Sequence, residues 1–528
     1  MFLIMSAAYI DQELKSEFGA IPPSLLPLGN RRLFQHQLRS VPADAEVFLS
    51  LPETYELLDT DARWLAINNV SIIYTPDDLE LGAALIAALN LADCSLNAPL
   101  HLLFGDTLIN PLPAGDDIIA ISDMKDSYNW AVVTNDEMQW LDSIDNRFSS
   151  DSNSVVSGYF KFSQPRQLIK AITQSHWDFI KGLNRYHIDI GLTAVKIDNW
   201  LDFGHVNTYY RSKASFTTQR SFNELLITPT WIEKSSYKNK KIRAEANWFE
   251  NLPEGMRNFI PQYLGSDNVS DSFKYRLEYL HNTALNELFV FAKLPTVIWK
   301  QILLSCFDFI DSCLEYPASN NIPSNTLEQL FGGKTEQRLG DFCRVSGIDI
   351  NQTWFYNDTL QVSLSEIISQ SEQYLPSQDG KMSVLHGDFC FSNILYDFRT
   401  GRIKTIDPRG ITPDGELTIY GDTRYDIAKL SHSVLGLYDW IMAGYYSIDI
   451  TDSCIHFEVD GIRHHKSTQQ TFIELVEARY GLTALNLYSM QIQLFLSMLP
   501  LHADEPKRQQ ALMANAFRLF EMIKRFEQ

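Results

Sequence analysis

The chain has 528 residues, 45% hydrophobic and 21% charged, with a formal net charge of −21. That length exceeds what one core organises, so two to three domains are expected. The acidic balance argues against nucleic acid or an anionic membrane as the main partner, but allows a local basic pocket. The cysteines (Cys94, Cys306, Cys313, Cys343, Cys390 and Cys454) form no CxxC pair and no disulfide-like spacing, which fits a reducing cytoplasm.

In chain order, MFLIMSAAYI is apolar but short, with no basic residues before it and acids after it. It is too short for a span and poor as a signal peptide, so it predicts a buried first strand and no membrane insertion. EVFLSL and VSIIYT are β-rich, LGAALIAALNLA predicts a helix, and LHLLFGDTLI is a continuous apolar strand ending at Gly105-Asp106. This alternation predicts an α/β domain with a largely parallel sheet. Ligands of such sheets sit at the carboxyl ends of strands, where Asp106 falls. A second acid, Asp202, lies in Trp200-Leu201-Asp202-Phe203-Gly204-His205, just before the helix VNTYYRSKA. Two strand-end carboxylates can share a Mg²⁺ bound to a nucleoside triphosphate.

These segments resemble the sugar-phosphate nucleotidyltransferase family. LLFGDTLI is similar to its central metal-binding strand, and NWLDFGHVNTYYRSKA to the segment with its second metal aspartate. VVSGYFKF and PPSLLPLGNRRLFQHQL match two further segments. The resemblance implies a Rossmann-like nucleotidyltransferase domain over residues 1–213, with Asp106 and Asp202 as Mg²⁺ ligands. There are departures. Ser6 to Glu13 stands where the family has a glycine-rich triphosphate loop, and includes Asp11 and Glu13 but no glycine. Ser24 stands where the family has a catalytic lysine. A working transferase using a second nucleoside triphosphate and a structural scaffold both stay open.

From residue 214 the pattern changes. FTTQRSFNELLI offers Thr217, Thr218 and Ser221 but no glycine. TPTWIEKSS predicts a strand carrying Lys234. A helix follows in which Ile242, Ala246 and Phe249 share one face with Glu245 beside it. Lys238, Lys240 and Lys241 read as a solvated loop, with Lys213 a less plausible alternative to Lys234. FIPQYLG and KYRLEYL predict two strands, the second including Glu278 and Leu280. From Asn282 the chain reads as mainly helical, with a polar break at residues 318–325.

The densest segment is VLHGDFCFSNILYDFRTGRIKTIDPRG, residues 384–410. Its two apolar strands flank a turn with Gly401, which predicts a hairpin ending at Asp407 before Pro408. Asp388, Asn393 and Asp407 are then brought to one rim. Phosphoryl transfer needs one carboxylate for the attacking hydroxyl, and an amide plus a second carboxylate for Mg²⁺. The HGD-x4-N…ID pattern resembles the aminoglycoside phosphotransferase/choline kinase family. The resemblance implies a bilobal protein-kinase-like domain over residues 214–528, with its N-lobe at about 214–281 and a helical C-lobe at about 282–528. The implied roles are Asp388 as catalytic base, Asn393 and Asp407 as Mg²⁺ ligands, and His386 as a structural residue. Lys234 and Glu245 become the phosphate-contacting pair. Glu278 and Leu280 fall on the hinge that meets adenine. Asp426, opening the helix after GDTRY, is expected to cap it and to brace the catalytic loop. Pro408-Arg409 departs from the family on the substrate side.

The implied activity is ATP- and Mg²⁺-dependent phosphorylation of an alcohol on a small molecule, in surface polysaccharide precursor synthesis. A bifunctional enzyme making a nucleotide-activated product and a nucleotide-sensing regulator are the alternatives. Trp354, Phe355, Tyr356, Tyr438 and Trp440 could form a cation box for a choline-like acceptor. His502, Asp504 and Arg508 could line an acceptor pocket, with Asp504 also expected to cap the last helix. The oligomeric state is not legible.

Overall fold

The computed structural model describes residues 1–93, 95–123, 131–134, 140–143, 154–220, 225–236, 239–269, 272–319, 327, 331–376, 380–412 and 414–527. The chain divides into two compact units, Met1–Thr217 with Phe291–Lys293, and Thr218–Val290 with Leu294–Gln528.

In the first unit the opening strand Phe2–Met5 is wholly buried, because all four of its side chains are apolar. It lies between Val47–Pro52 and Leu100–Phe104 and is parallel to both. Val70–Thr75 continues the parallel order beyond Val47–Pro52. On the other side the sheet departs from the expected largely parallel arrangement. Ser154–Phe162 runs antiparallel to both Leu100–Phe104 and Ile118–Asp123. Thr193–Lys196 then pairs in parallel with Ile118–Asp123. An apolar buried strand reads the same in either direction, so its orientation was not in the local sequence. Helices Leu81–Leu91 and Phe179–Asp189 cover the sheet, with Leu3, Leu85, Leu102, Phe160 and Leu183 in the shared core.

The second unit opens with an antiparallel sheet in the order Leu225–Ile227, Trp231–Ser236, Ser272–Glu278, Tyr263–Val269. Helix Asn239–Asn251 packs on it through Phe249, which lies against Tyr263 and Tyr275, and its Ile242, Ala246 and Trp248 are also buried. Further helices follow, among them Thr296–Leu314, Gly332–Ser346, Arg424–Val434, Gly461–Tyr480, Ala484–Met498 and Pro506–Glu527. The expected hairpin forms, with Ile394–Asp397 antiparallel to Arg402–Thr405 and Gly401 at φ 66° in the turn.

One feature of the helical lobe was not anticipated. Thr353–Tyr356, Leu360–Ser363, Tyr446–Thr451 and Cys454–Val459 form a four-stranded sheet. Its two hairpins turn at Asn357-Asp358 and Asp452-Ser453, all four residues at positive φ. Those Asn-Asp and Asp-Ser pairs are the sequence signal for tight hairpin turns. Among the described residues no single helix is long and apolar enough to cross a membrane. One pair, Gly461–Tyr480 with Ala484–His502, passes on length and composition together but is bent by 108°.

Candidate active site

The loop after strand Met382–Val384 is held by its backbone. Gly387 sits at φ 79°, and a Cβ there would come within 2.7 Å of the Arg409 Cβ, so glycine is required on both counts. His386 is buried. Its Nε2–H donates to the Ile406 carbonyl at 3.0 Å, and its Nδ1 accepts the Asp388 N–H at 3.3 Å. Burial pushes its imidazole down to about 4, so it is a neutral strut.

Asp426 bridges the same loop. Its carboxylate accepts the N–H groups of His386 and Gly387, each at 2.8 Å. It lies inside helix Arg424–Val434 and does not cap it, because Thr423 is the N-cap residue. The helix presents Asp426 to the loop instead. Burial pushes this carboxyl up to about 7 against the pull of the two N–H donors.

Asp388 projects from the loop with 43% of its side chain exposed. Asn393 Nδ2 donates to its carbonyl at 2.9 Å and to Oδ2 at 3.1 Å. Lys429 Nζ stands 2.8 Å from Oδ1. Burial would raise Asp388, but the Lys429 ammonium outweighs it and holds the carboxyl below its ordinary value. Burial alone would lower Lys429, yet the Asp388 charge raises it. Lys429 carried no role in the sequence reading. Its spacing, three residues after Asp426 on one helix face, was the available signal.

Asp407 follows the second hairpin strand. That strand ends at Thr405, two residues earlier than expected, and Asp407 adopts φ 58°. Few non-glycine residues occupy this left-handed region, and those that do are concentrated at functional sites. The Ile406 N–H donates to Asn393 O at 3.0 Å, tying the residue before Asp407 to Asn393. Gly410, at φ 65°, lets this loop pass against helix Asn239–Asn251, where a Cβ would strike the Ala244 carbonyl at 2.1 Å.

Lys234 joins the lobes. Its Nζ lies 2.6 Å from Asp407 Oδ1 and 3.0 Å from Glu245 Oε2. Glu245 is fully buried and also accepts the Tyr275 hydroxyl at 2.6 Å. Burial opposes the Lys234 charge, but Asp407 and Glu245 outweigh it and raise the ammonium above its ordinary value. The indole N–H of Trp248, on the same helix as Glu245, donates to Leu385 O at 2.7 Å.

Elsewhere the expectations divide. Glu278 ends its strand, with its N–H on Gln262 O at 2.9 Å. Leu280 lies just beyond in irregular backbone, next to Tyr279, whose N–H donates to Thr230 O at 3.0 Å. Thr217 sits in helix Val206–Arg220 with its hydroxyl on Lys213 O, so it is no phosphate loop. Ser221 and Lys238 lie outside the described residues. The aromatic box does not form. Trp354 and Tyr356 pack on Phe517, Trp440 packs on His464 and His465, and Tyr438 stacks on His432. Asp504 pairs with Arg508 at 3.3 Å, and Glu505, not Asp504, directly precedes the last helix.

In the first unit Asp106 and Asp202 do meet. Both carboxylates lie against Gly204, where a Cβ would be 2.8 Å from Asp106 Oδ2 and 3.4 Å from Asp202 Oδ1. Burial raises the Asp106 carboxyl. The loop after the first strand is closed on itself. Ser24 donates to Ser6 Oγ from its N–H at 3.0 Å and its hydroxyl at 2.8 Å, and Ser6 N donates to Ser50 Oγ at 3.1 Å. All three serines are buried. Asp11 caps helix Gln12–Phe18 through the Leu14 N–H at 2.8 Å. Among the described residues no group of three or more His, Cys, Asp or Glu side chains is placed to hold a metal.

The first unit is thus a mixed-sheet α/β domain, and the second an antiparallel sheet with one packed helix followed by a helical lobe. Solved structures similar to the chain include sugar nucleotidyltransferases and aminoglycoside phosphotransferases. A nucleoside-diphosphate-sugar pyrophosphorylase from Vibrio cholerae RC9 is 13% identical over 40% of this chain and 99% of its own, with a TM-score of 0.33. The inositol-1-phosphate CTP transferase of T. maritima is 14% identical over 42% and 97%, with a TM-score of 0.32. A thermostable mutant of aminoglycoside phosphotransferase APH(4)-Ia, in ternary complex with AMP-PNP and hygromycin B, is 11% identical over 58% and 97%, with a TM-score of 0.33. No family model and no curated protein matches the chain.

Proposed function

We propose that the second unit is an ATP-dependent kinase acting on an alcohol of a small molecule. The observation that carries this is the convergence of Asp388, Asn393 and Asp407 on one loop and hairpin, with Lys234 linking Asp407 to buried Glu245. Asn393 and Asp407 supply only oxygen donors, which suits Mg²⁺, a hard cation that takes few protein ligands and completes its shell with phosphate and water. Bound there, the ion would neutralise charge on the transferring phosphate. Lys234 would turn to the nucleotide phosphates, and the backbone near Glu278 and Leu280 would meet adenine. Asp388 would hold the acceptor hydroxyl. As the acceptor O–P bond forms, the bond from phosphorus to the β-phosphate bridging oxygen breaks, ADP leaves, and Asp388 takes the hydroxyl proton. Its lowered pKa favours orienting the hydroxyl first and accepting the proton late.

The first unit is a scaffold in this reading. The Ser6–Ser24–Ser50 network fills the place where a triphosphate loop and a lysine would act. A cytoplasmic role in surface polysaccharide precursor synthesis remains part of the proposal. The test is purified full chain with Mg-ATP and a panel of sugars and amino alcohols, following ADP release and product mass. Asp388→Ala should retain Mg-ATP binding and lose about 10²–10⁴ in rate. Near-wild-type turnover in that variant would remove Asp388 from the site.

A further inference from the structure

Cations gather on one side of Asp388. Lys429 is bonded to it. The Arg409 side chain lies against Gly387, the residue before Asp388, and its guanidinium stands 6.0 Å over the Tyr425 ring. Arg338, on helix Gly332–Ser346, is fixed by a hydrogen bond from Nη1 to Ser497 O at 3.1 Å. Lys334 lies one turn before it on the same helix. Phe331, the residue before that helix, packs on the same Tyr425 ring with 5.8 Å between centroids, so the start of the helix and Arg409 meet at Tyr425. Burial, then Arg409, Arg338 and Lys429, push the Lys334 ammonium down to about 8. Among the described residues no carboxylate lies within ion-pair distance of Lys334, Arg338 or Arg409, and Asp388 is the partner of Lys429. Like charges repel, so a chain of net charge −21 has little structural reason to gather them.

This set is separate from the nucleotide grip. The charges acting on Lys234 are Asp407 and Glu245, and those acting on Lys334 are the three cations. Lys234 is bonded to Asp407 and Glu245 while Lys429 is bonded to Asp388, so the two sets share no residue.

We propose that the acceptor is an alcohol carrying a fixed negative charge, held by Lys334, Arg338 and Arg409 while Lys429 positions Asp388. The inference rests on the kinase reading above. A phosphate and a carboxylate offer the same chemistry to these cations, and guanidinium groups recognise either one through paired hydrogen bonds. A cationic amino alcohol or aminosugar would be repelled.

The experiment compares glucose, glucosamine, glucuronate and glucose 6-phosphate as acceptors for the full chain, with Mg-ATP affinity measured in parallel. Higher kcat/KM for one or both anionic compounds supports the proposal, and the two arms separate carboxylate from phosphate. Lys334→Gln and Arg409→Gln should then each raise acceptor KM about tenfold while leaving the Mg-ATP Kd unchanged, and Arg409→Lys should restore part of the loss. Preference for glucose or glucosamine would overturn it. So would unchanged KM in the variants, weakened Mg-ATP binding in place of weakened acceptor binding, or Mg-ATP binding with no response to either anion above glucose. Failure of the wild-type chain to bind Mg-ATP would count instead against the kinase reading.

Discussion

Lys429 Nζ lies 2.8 Å from Asp388 Oδ1, so the carboxylate proposed to receive the acceptor hydroxyl is already paired with a cation from the following helix. The pair holds Asp388 ionised and aims one oxygen, while Asn393 aims the other. Lys429→Met removes the charge and keeps most of the side-chain volume. The expected result is a fall in kcat of about 10² with Mg-ATP affinity retained. Without the ammonium the Asp388 pKa rises, so the acid limb of the pH–rate profile moves to higher pH. A rate loss with an unmoved acid limb would reduce Lys429 to a packing role.

Lys234 bridges two carboxylates of different exposure. Glu245 has 1% of its side chain exposed and Asp407 has 36%. Lys234→Met leaves a buried carboxylate with the Tyr275 hydroxyl and a distant Lys241 as its remaining partners. It should cost about 3 kcal/mol in denaturant unfolding and weaken Mg-ATP binding. Adding Glu245→Gln should recover part of the stability but none of the affinity. Strict additivity of the two stability losses would refute the coupling.

Asp426→Asn sets an amide NH₂ against one of two backbone N–H donors. It should cost about 1–3 kcal/mol and lower kcat, because the loop carrying Asp388 loses a strut. The pH dependence has a definite sign. Asp426 binds its proton more tightly folded than unfolded, so its contribution to stability is full at low pH and is lost as pH rises from 3.8 to about 7. The melting-temperature gap between wild type and variant should therefore narrow from pH 5 to pH 8. A gap that widens over that range would mean the carboxylate is held ionised by its two donors.

Asp106 and Asp202 both lie against Gly204, and Ser24 is bonded to Ser6 where the family resemblance would put a lysine and a triphosphate loop. The chain should release little or no pyrophosphate from CTP, UTP, GTP, ATP or dTTP with the phosphorylated product. Asp106→Asn/Asp202→Asn should leave alcohol phosphorylation near wild type. Robust metal-dependent pyrophosphate release, abolished in the double variant, would make the chain a two-step activating enzyme.

Much of this protein was legible in its sequence because the relevant signals are local. Apolar runs bounded by turns marked the first strand and the hairpin. The spacing within HGD-x4-N placed Asp388 and Asn393 on one loop, since five residues cannot separate them far. The pairing of Lys234 with Glu245 followed from the family resemblance, and the two are bonded at 3.0 Å. Other features depended on segments distant in the chain. The direction of Ser154–Phe162, the two loop N–H groups that Asp426 holds, and the meeting of Lys429 with Asp388 depend on which face a helix or strand turns to its neighbour. The cation set of Lys334, Arg338, Arg409 and Lys429 spans three segments, and no local pattern joins them. Packing of the helical lobe sets where these cations lie, and burial first, then the neighbouring cations, lowers Lys334. A sequence shows which residues can carry charge, but the dielectric around them and the distances between them are set only when the core closes.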